Sequence, residues 1–168
     1  HITSEISALR YQKYKRTNIA KEICDYFKVQ LIEYKRKINE IKKDDKKTIS
    51  IFPVSTSLIR SLPLYILEEI IKNFSNEYKI KIIIDNSDYS KYLLDSSTNN
   101  NFIFIYPKSV KSLISEISKT NFGIFIESGP LHIAQCFDIN GFLIETSVDS
   151  KKLLSNSKNI ISVNNNYK

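Results

Sequence analysis

Glycine is scarce in this chain: three in 168 residues, alongside four prolines, two cysteines and no methionine or tryptophan. The three glycines, Gly123, Gly129 and Gly141, are spaced for neither a G-x-G-x-x-G nor a Walker A loop, so an ordinary dinucleotide or ATP-hydrolysing site is not expected. The cysteines, Cys24 and Cys136, lie far apart with no CxxC or Cys/His cluster. That argues against a zinc site or a disulfide framework and fits a reducing, cytoplasmic setting. No apolar run approaches the roughly 20 residues that span a bilayer, and the first residues lack the short apolar core of a signal peptide. Methionine is missing even at position 1, where His1 directly precedes a helix-like stretch. The chain is therefore expected to be a fragment whose missing part lies on the amino-terminal side.

An apolar content of 42% is enough for one domain with a substantial core. The net charge of +7 is uneven: residues 1–47 hold 13 Lys/Arg against 7 Asp/Glu, and residues 48–168 hold 12 against 11. A basic helical arm of this kind is able to touch anionic lipid headgroups. A solvated basic face is the plainer reading, because 21 Lys, 28 Ile and 15 Asn show a compositional bias that raises lysine throughout. No aromatic-and-basic interleaved motif stands on a recognisable nucleic-acid module, so no nucleic-acid partner is expected.

Residues 3–28 carry Ile6, Leu9, Ile19, Ile23 and Phe27 at near-helical spacing, and "KRKINEIKKDDKK" (35–47) reads as a charged linker. From Thr48 the pattern changes. Strand-like runs "TISIF", "KIKIIID", "NFIFIY", "FGIFI", "GFLIE" and "NIISV" alternate with helix-like "LYILEEIIKNF", "YSKYLL", "SVKSLISEISK", "LHIAQCF" and "SKKLLS". The expected fold is a Rossmann-like α/β domain over 48–163, a parallel sheet of about six strands with helices on both faces. Near-continuous Ile, Phe and Val in the strands agree with burial on both faces. "SSTNNN" (96–101) reads as a loop and 164–168 as a disordered tail.

In an open parallel sheet ligands bind beyond the carboxyl ends of the strands. The stretch Glu127–Pro130, after "FGIFI", is the most informative such position. Pro130 suits a first helical turn, and Ser128 or Gly129 is able to cap it. Gly129 admits a ligand close to the backbone, and the freed amides with the helix dipole favour a phosphate. Glu127 would repel that phosphate, so it makes sense as an acceptor for sugar hydroxyls. The simpler alternative is a helix cap whose Glu faces solvent. His132 is more often a core histidine than a base, and with only His1 besides it a Ser-His-Asp arrangement has little support. After the first strand, "PVSTSLIRSLP" (53–63) offers Ser55, Thr56 and Ser57 with Arg60, a cation suited to bidentate phosphate contact. A Ser/Thr-rich loop before a helix is the competing reading.

Together, "ESGPLHIAQCFDINGFLIETS" and "STSLIRSLP" resemble the signatures of the heptosyltransferase family, glycosyltransferase family 9, whose members build the lipopolysaccharide inner core and have the two-domain GT-B fold. The first resembles the family's acid-[ST]-G-[PL]-x-H motif. The second resembles its hydroxyl pair, a basic residue four positions on, and a Trp-Pro opening a helix, with Leu62-Pro63 here. "HITSEISALRYQKY" is similar to the helical connection between the family's two domains, which places that connection and a basic linker at 1–47. The resemblance implies the C-terminal, donor-binding half of a GT-B glycosyltransferase, with the N-terminal acceptor domain absent from this chain.

The resemblance further implies a nucleotide-activated sugar donor, commonly ADP-heptose, held without a metal or other cofactor. Ser55, Thr56 and Arg60 would hold the diphosphate, with Arg60 stabilising the leaving group. Ser128, Gly129 and Pro130 would line the phosphate end, Glu127 would accept from the sugar, and His132 falls within the same motif. The catalytic base and a lipid-linked saccharide acceptor belong to the absent domain, so the fragment alone is expected to bind donor without turnover, at the cytoplasmic face of the inner membrane. Glu127 stands where the family has Asp, Arg60 where it has Lys, and glycines usual after two strands are missing. These departures keep open a non-catalytic α/β binding module that has lost the donor site.

Overall fold

The computed structural model describes residues 27–28, 43–86, 102–146, 153–154 and 158–164. The helical stretches expected before residue 27, the charged segment up to 42, "YSKYLL", the polar loop 96–101, most of "SKKLLS" and the tail beyond 164 lie outside the described residues. So does most of the basic arm on which an interdomain connection or membrane contact would rest.

Six strands form one sheet: β1 (Thr48–Phe52), β2 (Lys79–Ile83), β3 (Phe102–Ile105), β4 (Phe122–Phe125), β5 (Asn140–Glu145) and β6 (Ile160–Asn164). Every pairing is parallel and the spatial order is β3-β2-β1-β4-β5-β6. All six expected strands are present at nearly the expected positions, and β6 runs one residue further, through Asn164. The chain builds outward from β1 to β3 and then crosses back to the other side of β1. The strand order therefore reverses between β1 and β4, which is where open sheets of this type leave a crevice.

The register puts different side chains on the two faces. Ile49, Ile51, Ile80, Ile82, Ile84, Ile124 and Ile126 meet Leu67 and Ile71 of α1 (Leu64–Phe74) in one buried cluster. Phe52, Ile83, Phe125 and Leu143 meet Ile117 of α2 (Val110–Lys119) and Leu131 and Ala134 of α3 (Gly129–Cys136) in the other. Helices thus cover both faces, and β1, central and buried along its whole length, buries Thr48 and Ser50 together with Ile49, Ile51 and Phe52. Each fully buried Ile or Leu in these clusters is worth about 1.5–3 kcal/mol relative to exposure.

Glycine is spent where two strands must fit under a ring. Gly123 and Gly141 are register partners on β4 and β5. A Cβ on Gly141 would fall 2.1 Å from the Gly123 carbonyl oxygen, and one on Gly123 would fall 2.3 Å from the Phe125 ring. Only hydrogen side chains let the Phe125 ring lie back over this pair.

The helix starts have local causes. Pro63, with φ −57°, precedes α1, and Ser109 opens α2 with a capping box in which its Oγ accepts from the Ser112 amide and its own amide donates to Ser112 Oγ. At the amino end of the sheet, the residues entering β1 are fastened on several sides. The Asp44 amide donates to the Lys119 carbonyl (2.8 Å), Lys43 Nζ donates to the Thr120 carbonyl (3.2 Å), Asn121 Nδ2 donates to the Asp44 carbonyl, and Lys81 Nζ pairs with the Asp44 carboxylate at 2.6 Å. Burial draws the Lys43 ammonium below the ordinary lysine value.

Candidate functional site

The loop after β1 returns on itself before α1 begins. The Leu62 amide donates to the Pro53 carbonyl at 2.8 Å, with Leu62 fully buried. Ser61, 4% exposed, accepts from the Ser55 amide at 3.0 Å and lies with its hydroxyl against the Ser55 and Ser57 carbonyls at 3.3 and 3.2 Å. These bonds tie the loop together from inside, with Ser55 and Thr56 lining the cleft on its outer side. A short 3₁₀ turn, Leu58–Arg60, completes the loop, and Arg60 Nη2 donates to Thr56 Oγ1 at 3.3 Å.

Beside it, α3 starts after three intervening residues past β4. Ser128 occupies the N-cap with extended backbone (φ −147°), but its Oγ leans back toward the Ile126 carbonyl (3.5 Å) and makes no capping bond to the helix. Pro130 sits in the first turn, as expected. A Cβ on Gly129 would meet nothing within 4 Å. The two helices that open nearby therefore differ: α2 closes its own first turn with a serine pair, whereas α3 presents its amino end to open space with no side-chain cap.

Between these parts lies a cleft of about 400 Å³ at the carboxyl ends of β1–β4. Ser55, Thr56 and Arg60 line one side and Ser128, Gly129 and Pro130 another. Asp85, Pro107, Lys108 and Ser109 form a further wall, and Phe52, Val54, Ile83, Ile84 and Leu113 make the apolar floor. The arrangement pairs cationic groups and an open helix start with an apolar bed, which suits a ligand carrying both anionic and flat apolar parts. Tyr106, after β3, has its phenol pushed above the ordinary value by desolvation, so it is neutral at physiological pH.

Six of the eight residues picked from sequence come together here. The other two do not line the cleft. His132, one turn into α3, is exposed. Glu127 is 4% exposed, with Oε1 accepting from the Thr146 amide at 2.8 Å and Oε2 accepting from the Thr146 hydroxyl. The solvent-facing Glu considered from sequence is thereby corrected, because the carboxylate takes the place of a further backbone rung between the ends of β4 and β5. The same Thr146 hydroxyl lies 3.3 Å from the Arg60 carbonyl.

Asp85, Lys108 and Ser109, which complete the cleft, lie after β2 and β3 and belong to neither quoted motif; their only signal in the sequence is that they follow a strand. Among the described residues no group of three or more His, Cys, Asp or Glu is placed to hold a metal ion, and no helix is long and apolar enough to cross a membrane.

No family model matches the sequence, and none of the curated proteins matches it. Solved structures do. Heptosyltransferase II of E. coli superposes with a TM-score of 0.60 at 12% identity, over 86% of this chain and 42% of its own. A family 9 glycosyltransferase from Veillonella parvula gives 0.59 at 13% identity over 86% and 39%. E. coli heptosyltransferase WaaC, solved with ADP-2-deoxy-2-fluoro heptose, gives 0.57 at 12% identity over 90% and 43%. The fold is that of the heptosyltransferase structures. The chain spans about two-fifths of their length, and the resemblance read from two short motifs is repeated at the level of the whole sheet.

Proposed function

We propose that this chain is the donor-binding domain of a heptosyltransferase-like glycosyltransferase. Its cleft takes a nucleotide-activated sugar such as ADP-heptose, for transfer to a lipopolysaccharide core acceptor held by another domain. The observation that carries the reading is the uncapped start of α3 facing Arg60 across one cleft at the reversal of strand order. Backbone amides at a helix start and a guanidinium are the groups that hold a diphosphate. The apolar floor between Ile83, Ile84 and Leu113 suits the base. WaaC, with this fold, was solved with an ADP-sugar analogue, which supports a donor of that class.

In the proposed reaction an acceptor hydroxyl attacks the anomeric carbon while the bond from that carbon to the diphosphate oxygen breaks. The electron pair leaves on the diphosphate, and the hydroxyl's proton passes to a base outside this chain. Arg60 and the amides of α3 stabilise the charge that develops on the leaving oxygen. We expect these groups to suffice without a metal ion, and we expect the chain alone to bind donor without turnover.

Calorimetry with ADP, UDP, GDP and ADP-heptose tests the reading. Binding of at least one, weakened by Arg60→Ala, is the expected result. If none binds and Arg60→Ala changes nothing, the cleft is not a donor site and a binding module of other purpose replaces it.

A further inference from the structure

Thr146 follows β5 directly, 86 residues from Arg60 and 19 from Glu127, and neither quoted motif gives it a role, yet its hydroxyl lies between the two. Its amide is held by Glu127 Oε1 at 2.8 Å, so the residue is fixed before its side chain is considered. The hydroxyl has one proton and faces two acceptors, the Glu127 carboxylate and the Arg60 carbonyl. The carboxylate takes the stronger share because an ionised acceptor makes the shorter, tighter bond. The carbonyl takes the longer one, at 3.3 Å.

Arg60 closes a 3₁₀ turn whose other residues, Leu58 and Ile59, are exposed; its amide donates to the Ser57 carbonyl at 3.0 Å, and buried Ser61 and Leu62 follow it. Its guanidinium makes the 3.3 Å contact with Thr56 Oγ1 and lines the cleft. Residue 60 therefore has Thr56 at the side-chain end and Thr146 at the main-chain end.

We infer that Thr146 is a positioning residue for Arg60, held in place by the buried Glu127 carboxylate, so that the ends of β4 and β5 set where the cleft's cation sits. The inference rests on the donor-site reading only for its effect on ligand affinity. The positioning itself is a property of the free protein. It gives Glu127 a role through Thr146 that differs from direct contact with a sugar.

The test uses Thr146→Val, which removes the hydroxyl but keeps the amide, and Thr146→Ser, which restores it. The first readout is the Arg60 side-chain Nε–Hε resonance of the ligand-free 168-residue chain. Thr146→Val should shift it and lower its heteronuclear NOE, with Thr146→Ser close to wild type at an unchanged melting temperature. The second readout is ADP affinity in a double-mutant cycle. Of the two bonds that Thr146→Val removes, the neutral one to the Arg60 carbonyl bears on the cation, and its loss predicts that ADP weakens by about two- to tenfold with Arg60 present and by less than about twofold in Arg60→Ala. An unmoved Arg60 resonance, or equal ADP losses in both backgrounds, overturns the inference. A shifted resonance in a protein that binds no nucleotide leaves the positioning established and removes the donor-site reading instead.

Discussion

Phe52 and Phe125, register partners at the ends of β1 and β4, stack with ring centroids 5.0 Å apart and planes 8° from parallel. Both rings are buried, and Phe52 also floors the cleft, so the core and the site share this pair. Phe125→Ala removes the ring that lies over Gly123 and Gly141 and leaves a void against Leu143 and Ile117. It should cost about 3–5 kcal/mol, read as a lowered urea midpoint by circular dichroism.

Two glycines should answer differently to the same substitution. Gly141→Ala drives a methyl into the Gly123 carbonyl, which is backbone and cannot swing aside, so a loss of at least about 1–3 kcal/mol is expected. Gly129→Ala meets open space at the start of α3, so thermal unfolding should stay level or rise slightly. Its nucleotide affinity by calorimetry should nonetheless fall, because the methyl occupies the approach to the helix amides. A stable Gly129→Ala protein with undiminished affinity would place the phosphate elsewhere.

Arg60 reaches the cleft from a turn whose other residues, Leu58 and Ile59, are exposed, so Arg60→Ala should leave the melting temperature nearly unchanged. A hydrogen bond to a charged group is worth about 1.5–3 kcal/mol, so ADP affinity should fall roughly ten- to hundredfold. Arg60→Lys keeps the charge without the planar fork and should recover part of the loss. Titrations at rising salt should show the wild-type protein losing affinity faster than Arg60→Ala.

The Lys81–Asp44 pair is mostly enclosed, with side-chain exposures of 14% and 18%. Asp44→Ala strands the ammonium against the sheet and should cost about 2–3 kcal/mol, below the 3–5 of a fully buried pair. Removing both charges in Asp44→Leu/Lys81→Met should recover most of that loss, since an apolar pair of similar volume needs no desolvation. Urea denaturation of the three proteins reads the difference.

Much of this architecture is legible in the sequence because the signals are periodic and local. "TISIF" and "FGIFI" are dense in β-branched and aromatic residues, and the helix between Leu64 and Phe74 places Leu67 and Ile71 four apart on one buried face. The turns after β1 and β4 were also legible, since Pro130, Gly129 and the hydroxyl-rich "STS" each have a local geometric reason. Glu127 is legible as an acceptor for hydroxyl groups, but neither its burial nor its direction is. The partner that turns it away from the cleft, Thr146, stands 19 residues on and becomes adjacent only through the pairing of β4 with β5. Lys108 and Ser109 were missed for a similar reason: they join the cleft through the pairing of β3 with β2 and carry no motif of their own.

The fastening of residues 43 and 44 at the amino end of the sheet fixes where chain from upstream arrives. The cleft opens at the other end, beyond a five-residue β1 that measures about 17 Å at 3.3–3.4 Å per residue. Residue 43 thus stands behind the site and not at its rim. To lean over the mouth of the cleft, chain from upstream must first run the height of the domain, roughly five extended residues or eleven helical ones.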